Sequence, residues 1–246
     1  MRPAALVTGA NRGIGRGIAL ALAARGFDIV VNDIARTEDT EVTLAELRDK
    51  GAQAVFVEAD IANSAARPKL VDSAFAALGR LDCLVNNAGV QVKVRGDMLD
   101  TTEESFDRLI NINLRGTFLC MKHELAQMVK QGSGVVVNTS SGAGIRGVAG
   151  GASYAASKHA IIGLTRSAAL DYAKENIRVN AVLPGNIETP MMDRFTGGDI
   201  QKAIDLEPVG RLGKPEEIAE AVLWMASDLG GFVTGAATVI DGGWSL

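Results

Sequence analysis

Cysteine is scarce in this chain. Cys83 and Cys120 are its two thiols, too few for a disulfide framework. Both sit in apolar surroundings, which suit buried thiols better than a redox pair. Long apolar runs are missing as well: none approaches the roughly eighteen residues that a membrane span requires. No basic start leads into an apolar core at the N-terminus, so a cytoplasmic protein with no membrane partner is expected. Positive charge is not in excess either. The net charge is −4 with both signs interspersed, which argues against nucleic acid as a partner, because phosphate binding needs concentrated Lys and Arg. No repeat, low-complexity tract or linker is evident, and residues 1–246 are read as one domain.

What is present is an alternation. Apolar, β-branched runs bounded by turn residues fall at Ala4–Thr8, Asp28–Asn32, Ala54–Glu58, Cys83–Asn86, Val135–Ser140, Arg178–Leu183 and Ala237–Ile240, and read as strands. Helix-length stretches fit between them, at Gly13–Arg25, Thr40–Lys50, Ser64–Leu78, Thr102–Lys130, Ser153–Glu175 and Pro215–Ser227. Pro215 suits a first helical position, where its missing N–H is no loss. This order predicts an α/β fold with a parallel sheet covered by helices on both faces. Residues 190–214 break the rhythm with Gly197, Gly198, Pro208, Gly210 and Gly213, and read as a mobile excursion over the sheet edge.

Two stretches carry chemistry. In the first, Ser141 lies thirteen residues before Tyr154, and Lys158 four residues after it. On a helix Tyr154 and Lys158 share a face. A phenol beside an ammonium is a workable acid/base for a carbonyl oxygen, because nearby positive charge favours the phenolate and lowers its pKa. The serine hydroxyl can hold the same oxygen. Each residue alone has a plainer use: a packed tyrosine, a solvated lysine, a Ser140–Ser141 pair that ends a strand.

The second stretch, Thr8-Gly9-Ala10-Asn11-Arg12-Gly13-Ile14-Gly15, follows the first strand and opens the first helix. Glycines there let backbone approach a pyrophosphate, and the helix N-terminus presents free N–H groups to it. A tight turn without a ligand has the same residues. Asp33, eighteen residues past Gly15, adds a carboxylate that can accept hydrogen bonds from the adenosine ribose and would repel a 2′-phosphate, which favours NAD over NADP. Arg12 and Arg36 pull the other way, since either can pair with a 2′-phosphate, so NADP stays open.

With both stretches in hand, the chain resembles the short-chain dehydrogenase/reductase family over essentially its whole length. The residues that carry the resemblance are TGANRGIG (8–15), Asp60, NNAG (86–89), Asn113 in NINLRG, Ser141, YAASK (154–158), PGNIETP (184–190) and IDGGW (240–244). The resemblance implies a Rossmann-type, doubly wound, seven-stranded parallel sheet, a homotetramer and NAD(P)-dependent chemistry on a small carbonyl or alcohol substrate. It places Gly9, Asn11, Arg12, Gly13, Ile14, Gly15 and Asp33 on the cofactor, with Asp60 and Ile61 at the adenine. Asn86, Asn87, Ala88 and Gly89 line the adenosine side of the cleft. Pro184, Gly185, Ile187 and Thr189 run beneath the nicotinamide, and Asp241, Gly242 and Gly243 build a subunit interface. Asn186 departs from the apolar residue usual after Pro-Gly.

By the same resemblance, Tyr154 exchanges the substrate proton, and Lys158 binds the nicotinamide ribose and depresses the tyrosine pKa. Ser141 holds the substrate oxygen, and Asn113 holds a water that links Lys158 to solvent. His123 and His159 are not needed and are read as helix-surface or interface residues; no metal is called for. GVAGGASYAASK and PVGRLGKPEEIA resemble the 3-oxoacyl carrier-protein reductases, which use NADPH. The arginines expected there for an acidic carrier protein are replaced by Gly132 and Glu175, with Lys130 and Lys174 beside them. A small alcohol, polyol or sugar substrate is the first expectation and an acyl carrier thioester the second. Pocket contributors are expected from Gln91–Arg95, Ile145–Gly151 and 191–208, with Arg95, Arg146 and Arg194 able to meet an anion. A non-catalytic NAD(H)-binding protein and a lyase or dehalogenase on the same scaffold are the readings from other classes, and the intact Tyr154–Lys158 pair and glycine loop speak against both.

Overall fold

The computed structural model describes residues 2–92 and 96–246, apart from the side chains of 194 and 195. Seven strands form one sheet: β1 (Ala4–Thr8), β2 (Asp28–Asp33), β3 (Ala54–Glu58), β4 (Cys83–Asn86), β5 (Gly134–Thr139), β6 (Ile177–Pro184) and β7 (Ala237–Ile240). Every pair is parallel, in the order β3-β2-β1-β4-β5-β6-β7.

Parallel strands need crossovers, and helices supply them: α1 (Gly13–Ala24), α2 (Glu38–Asp49), α3 (Ala66–Leu78), α4 (Glu103–Leu109), α5 (Thr117–Gln131), α6 (Ala152–Tyr172), α7 (Pro190–Thr196), α8 (Gln201–Ile204) and α9 (Pro215–Ala226). Strand alternation sends Ala5, Val7, Ile29 and Val31 to one face, where they meet Ile18 and Leu22 of α1 and Ile218 and Val222 of α9. Leu6, Val30, Leu84 and Val136 face the other way, onto Leu70 of α3 and Met121, Leu125 and Met128 of α5. Burial on both faces explains why the strands read as unbroken apolar runs.

Three expectations needed correction. The expected helix Thr102–Lys130 is interrupted: between α4 and α5, residues Ile110–Gly116 wind as a wide π-type turn. The expected helix Thr40–Lys50 begins earlier, at Glu38, where the Thr40 hydroxyl accepts the Thr37 N–H at 2.9 Å. The 190–214 excursion contains α7 and α8. Pro190 opens α7 at a position where no N–H is needed, and Thr189 accepts from Met192 N. Its stem is closed by a parallel bridge between Ile187 and Gly213.

The strand order reverses between β1 and β4. Crossovers diverge to opposite faces there, leaving a crevice beyond the C-terminal strand ends. No helix among the described residues is long and apolar enough to cross a membrane.

Candidate active site

The crevice is a cleft of about 470 Å³. Its floor at the switch point is bonded tightly. The Thr8 hydroxyl accepts the N–H groups of Asn87 and Ala88, both at 3.0 Å, and the Asn87 amide donates to the carbonyls of Thr8 and Gly9, both at 3.1 Å. Gly9 has φ +64°, and a Cβ there would lie 2.8 Å from the Ala88 Cα, so only glycine fits. Gly13, with φ +58°, faces the Thr189 side chain. α1 starts after Arg12 with no side-chain cap and no acidic residue in its first turn. Its free N–H groups and positive dipole end therefore point into the cleft, the arrangement that receives a phosphate.

Gly9, Arg12, Gly13, Ile14 and Asp33 line this end, continued by Asp60 and Ile61 and, across the cleft, Asn87, Ala88 and Gly89. Asn11 is placed differently. Its side chain turns toward α2, donating to the Ala35 carbonyl at 3.1 Å and accepting from Thr40 Oγ1 at 2.9 Å, while its N–H donates to Asp33 Oδ2 at 3.2 Å. It supports the Asp33 carboxylate from behind. Gly15 lies behind the loop as well, where a Cβ would be 2.6 Å from the Asn87 amide nitrogen. The two arginines separate: Arg12 lines the cleft and faces Asp39 at 3.8 Å, whereas the Arg36 Nε is bonded to Glu41 at 2.6 Å.

Ser141, Tyr154 and Lys158 meet at the centre of the cleft. β5 ends at Thr139, so Ser140 and Ser141 follow directly. The Ser140 hydroxyl donates to the Lys158 carbonyl at 2.8 Å, joining that strand end to α6, and Ser141 Oγ accepts the Ala143 N–H at 3.1 Å. Tyr154 and Lys158 are one turn apart on α6. Lys158 is buried and donates to the Thr139 carbonyl at 2.8 Å. Burial pushes its ammonium down to about 8. Burial also raises the Tyr154 phenol above its ordinary value, and the neighbouring Ser141 hydroxyl draws it partly back. Of these two influences on the phenol, burial is the larger.

Asn113 stands behind this group, in the π-type turn. Its Oδ1 accepts Val90 N–H at 2.8 Å, and its Nδ2 donates to the Val90 carbonyl at 2.9 Å and to Ser157 Oγ at 3.2 Å. The side chain ties the loop after β4 to α6. A Cβ at Gly89 would lie 3.3 Å from Asn113 Oδ1 and 3.6 Å from Lys158 Nζ, which locates Gly89 between the two.

Pro184, Gly185, Ile187 and Thr189 form the far wall. Beyond them the described lining includes the apolar Val148, Met191, Met192, Leu206 and Trp244, and its polar groups are Gln91, Asn186 and the guanidinium-bearing Arg108 of α4. Arg146 stacks 4.6 Å from the Trp244 ring centre and donates to the Trp244 carbonyl. Arg95 and the side chain of Arg194 lie outside the described residues. His123 and His159 are on α5 and α6 away from the cleft lining, with His159 Nδ1 2.9 Å from the Ala155 carbonyl.

Three charged residues escaped the sequence reading. Glu207 is buried and accepts the Asn186 N–H at 3.2 Å, with its carboxyl raised by burial. Glu124 is buried on α5, accepts from the Asn86 amide at 2.9 Å and is raised to about 7. Asn86 also donates to Asn138 at 3.1 Å, so this first asparagine of the NNAG run is committed to the core. Arg67 is wholly buried at the start of α3. None has a motif around it; only the tertiary neighbours reveal them.

The residues fit a nicotinamide dinucleotide. The uncapped α1 terminus and glycine loop suit the pyrophosphate, and Asp33 suits a ribose. Thr139 Oγ1 is buried with no hydrogen-bond partner among the described residues, next to a lysine ammonium that has donors to offer.

Comparison with known proteins agrees with this geometry. The family model described as enoyl-(acyl carrier protein) reductase matches residues 9–245. A cis-4-hydroxycyclohexanecarboxylate dehydrogenase of Sinomonas cyclohexanicum is 42% identical over 241 residues, covering 98% of this chain and 96% of that one. A 3-oxoacyl-[acyl-carrier-protein] reductase of Staphylococcus aureus is 38% identical over 244 residues, covering 99% and 98%. The crystal structure of NAD+-bound xylitol dehydrogenase superposes with a TM-score of 0.93 at 36% identity, covering 98% of each chain.

Proposed function

The chain belongs to the short-chain dehydrogenase/reductase family and is an NAD(P)-dependent oxidoreductase acting on the CH–OH group, and on that premise we propose that it uses NAD to oxidise a small secondary alcohol of the alicyclic or polyol kind. One observation carries the reading. The cleft joins Asp33 at one end to a described wall bearing apolar side chains at the other, with Ser141, Tyr154 and Lys158 between them.

Asp33 disfavours a 2′-phosphate, and Arg36 is engaged by Glu41 away from the cleft. The apolar wall favours an alicyclic skeleton, and Asn186 and Gln91 offer hydrogen bonds to a second oxygen. A hydrophobic wall with a few polar anchors is what a small ligand needs.

When bound, the nicotinamide accepts or supplies the hydride. The protein handles the proton. Tyr154 takes the hydroxyl proton of the alcohol through its phenol oxygen and returns one in reduction. Ser141 Oγ donates to the same substrate oxygen and stabilises charge developing there. Lys158, anchored at the Thr139 carbonyl, keeps positive charge beside the phenol and has further N–H donors for the cofactor ribose. Asn113 holds Val90 and Ser157 in place around this group.

A homotetramer is the assembly we assign, with the helices within 102–130 and 153–175, which expose Phe106, Phe118 and Leu170, carrying the contacts between copies. A monomer in light scattering at micromolar concentration would remove it.

The test is to titrate NADH and NADPH against the purified protein, then to assay cyclohexanol-type alcohols, polyols and a 3-oxoacyl thioester. Tighter NADH binding with alcohol oxidation supports the reading. Tighter NADPH binding with thioester reduction replaces it by the carrier-protein reductase alternative.

A further inference from the structure

We infer that Arg67 is a positioning residue for the adenine end of the cleft, an inference that rests on the dinucleotide reading above. Arg67 is 1% exposed and is the largest fully buried side chain among the described residues. Burial of a guanidinium is costly, and burial lowers its pKa. Its position is also the wrong one for a helix: a cation in the first turn of α3 faces the positive end of the dipole. The cation is therefore held here against both its own desolvation and the helix dipole.

What the guanidinium does is hold backbone. Its Nε donates to the Ile61 carbonyl and its Nη2 to the Ala62 carbonyl, the latter at 2.9 Å. Both are charge-assisted bonds, the stronger class. The same short loop is closed on its other side by Asp60, whose Oδ1 accepts the Ala62 N–H at 2.8 Å. Asp60 and Ile61 line the cleft at the end where Asp33 stands. From the opposite face Gly116, the last residue of the π-type turn, presses on Ile61: a Cβ there would lie 3.0 Å from the Ile61 Cδ1. Ile61 is thus clamped between a buried cation and a helix backbone, and its place fixes the width of the slot beside it.

Dissociation constants measured by fluorescence or calorimetry for NADH, ADP-ribose and reduced nicotinamide mononucleotide test this. Arg67→Met keeps the volume and removes the donors. It should weaken NADH and ADP-ribose about tenfold, because the bonds that hold Ile61 and Ala62 beside the slot are gone. Binding of the mononucleotide, which lacks adenosine, should not change. KM for NAD should rise with kcat unchanged. Gly116→Ala pushes Ile61 from the other side and should give the same pattern, which decides the matter if Arg67→Met does not fold. Folded variants that bind ADP-ribose like the parent, or that lose the mononucleotide equally, overturn the inference while the dinucleotide reading stands. A parent protein that binds no NADH overturns both.

Discussion

The Lys158 ammonium lies 5.7 Å from the centre of the Tyr154 ring and 2.8 Å from the Thr139 carbonyl oxygen. The cation is therefore anchored by the end of β5 and flanks the ring of the residue it serves. Tyr154→Phe keeps the ring and removes the proton carrier. It should lower kcat by about a thousandfold, in the range of general acid–base catalysis, and leave the NADH dissociation constant nearly unchanged. Steady-state kinetics with a parallel binding titration checks this; substantial retained turnover would defeat the assignment.

Lys158→Met should cost function and raise stability. The lysine pKa falls from 10.5 to about 8 through burial, so the folded protein binds its proton less readily than the unfolded chain does. The penalty is complete below pH 8 and disappears as pH rises through the unfolded value. The difference corresponds to about 3 kcal/mol. Thermal melts should show the variant more stable at pH 7, with the gap narrowing as pH rises from 8 and closing above 10.5, while cofactor affinity drops.

Glu124 gives the opposite pH sense. Its folded pKa is raised from 4.5 to about 7, so its contribution is intact below pH 4.5 and is lost as pH rises through 7. Glu124→Gln keeps an acceptor for the Asn86 amide and never charges. Parent and variant should melt alike near pH 5, and the variant should be more stable at pH 8 by about 3 kcal/mol at most. Parallel curves from pH 5 to 8 would contradict it.

Asp33→Ala should narrow the gap between NADH and NADPH. Removing a charged acceptor should weaken NADH about tenfold, and removing the negative charge should strengthen NADPH. An unchanged ratio in the paired titrations would show that Asp33 does not read the ribose.

Much of the architecture was legible in the sequence because parallel strands buried on both faces become short apolar runs, and Gly, Asn and Asp mark where each one stops. The cluster of Ser141, Tyr154 and Lys158 was legible through spacing along one helix and its preceding strand. The π-type turn was not, because Ile110–Gly116 has the composition of an ordinary amphipathic helix and widens only where Asn113 bonds to Val90 and Ser157. Arg67, Glu124 and Glu207 were invisible for a related reason. Each is a charged residue in a polar-looking context, and its burial is decided by neighbours distant in sequence. The short helix α7 was within reach, since Thr189-Pro190 is a cap followed by a first-turn proline.

The hydroxyl of Thr8 has a mechanical consequence. With the Asn87 amide it joins the glycine loop to the chain after β4 through four hydrogen bonds, so these two segments move as one rigid jaw. Residues 190–206 are built otherwise: among the described residues, their hydrogen bonds stay within the segment or reach only to its two roots, Thr189 and Glu207. Among the described residues, that side is fastened at its base, by the stem between 186–188 and Gly213 and by the bond from Asn186 to Glu207. A molecule entering the cleft therefore meets one immovable rim and one compliant rim, and the compliant one carries Met191, Met192 and Leu206 of the substrate wall.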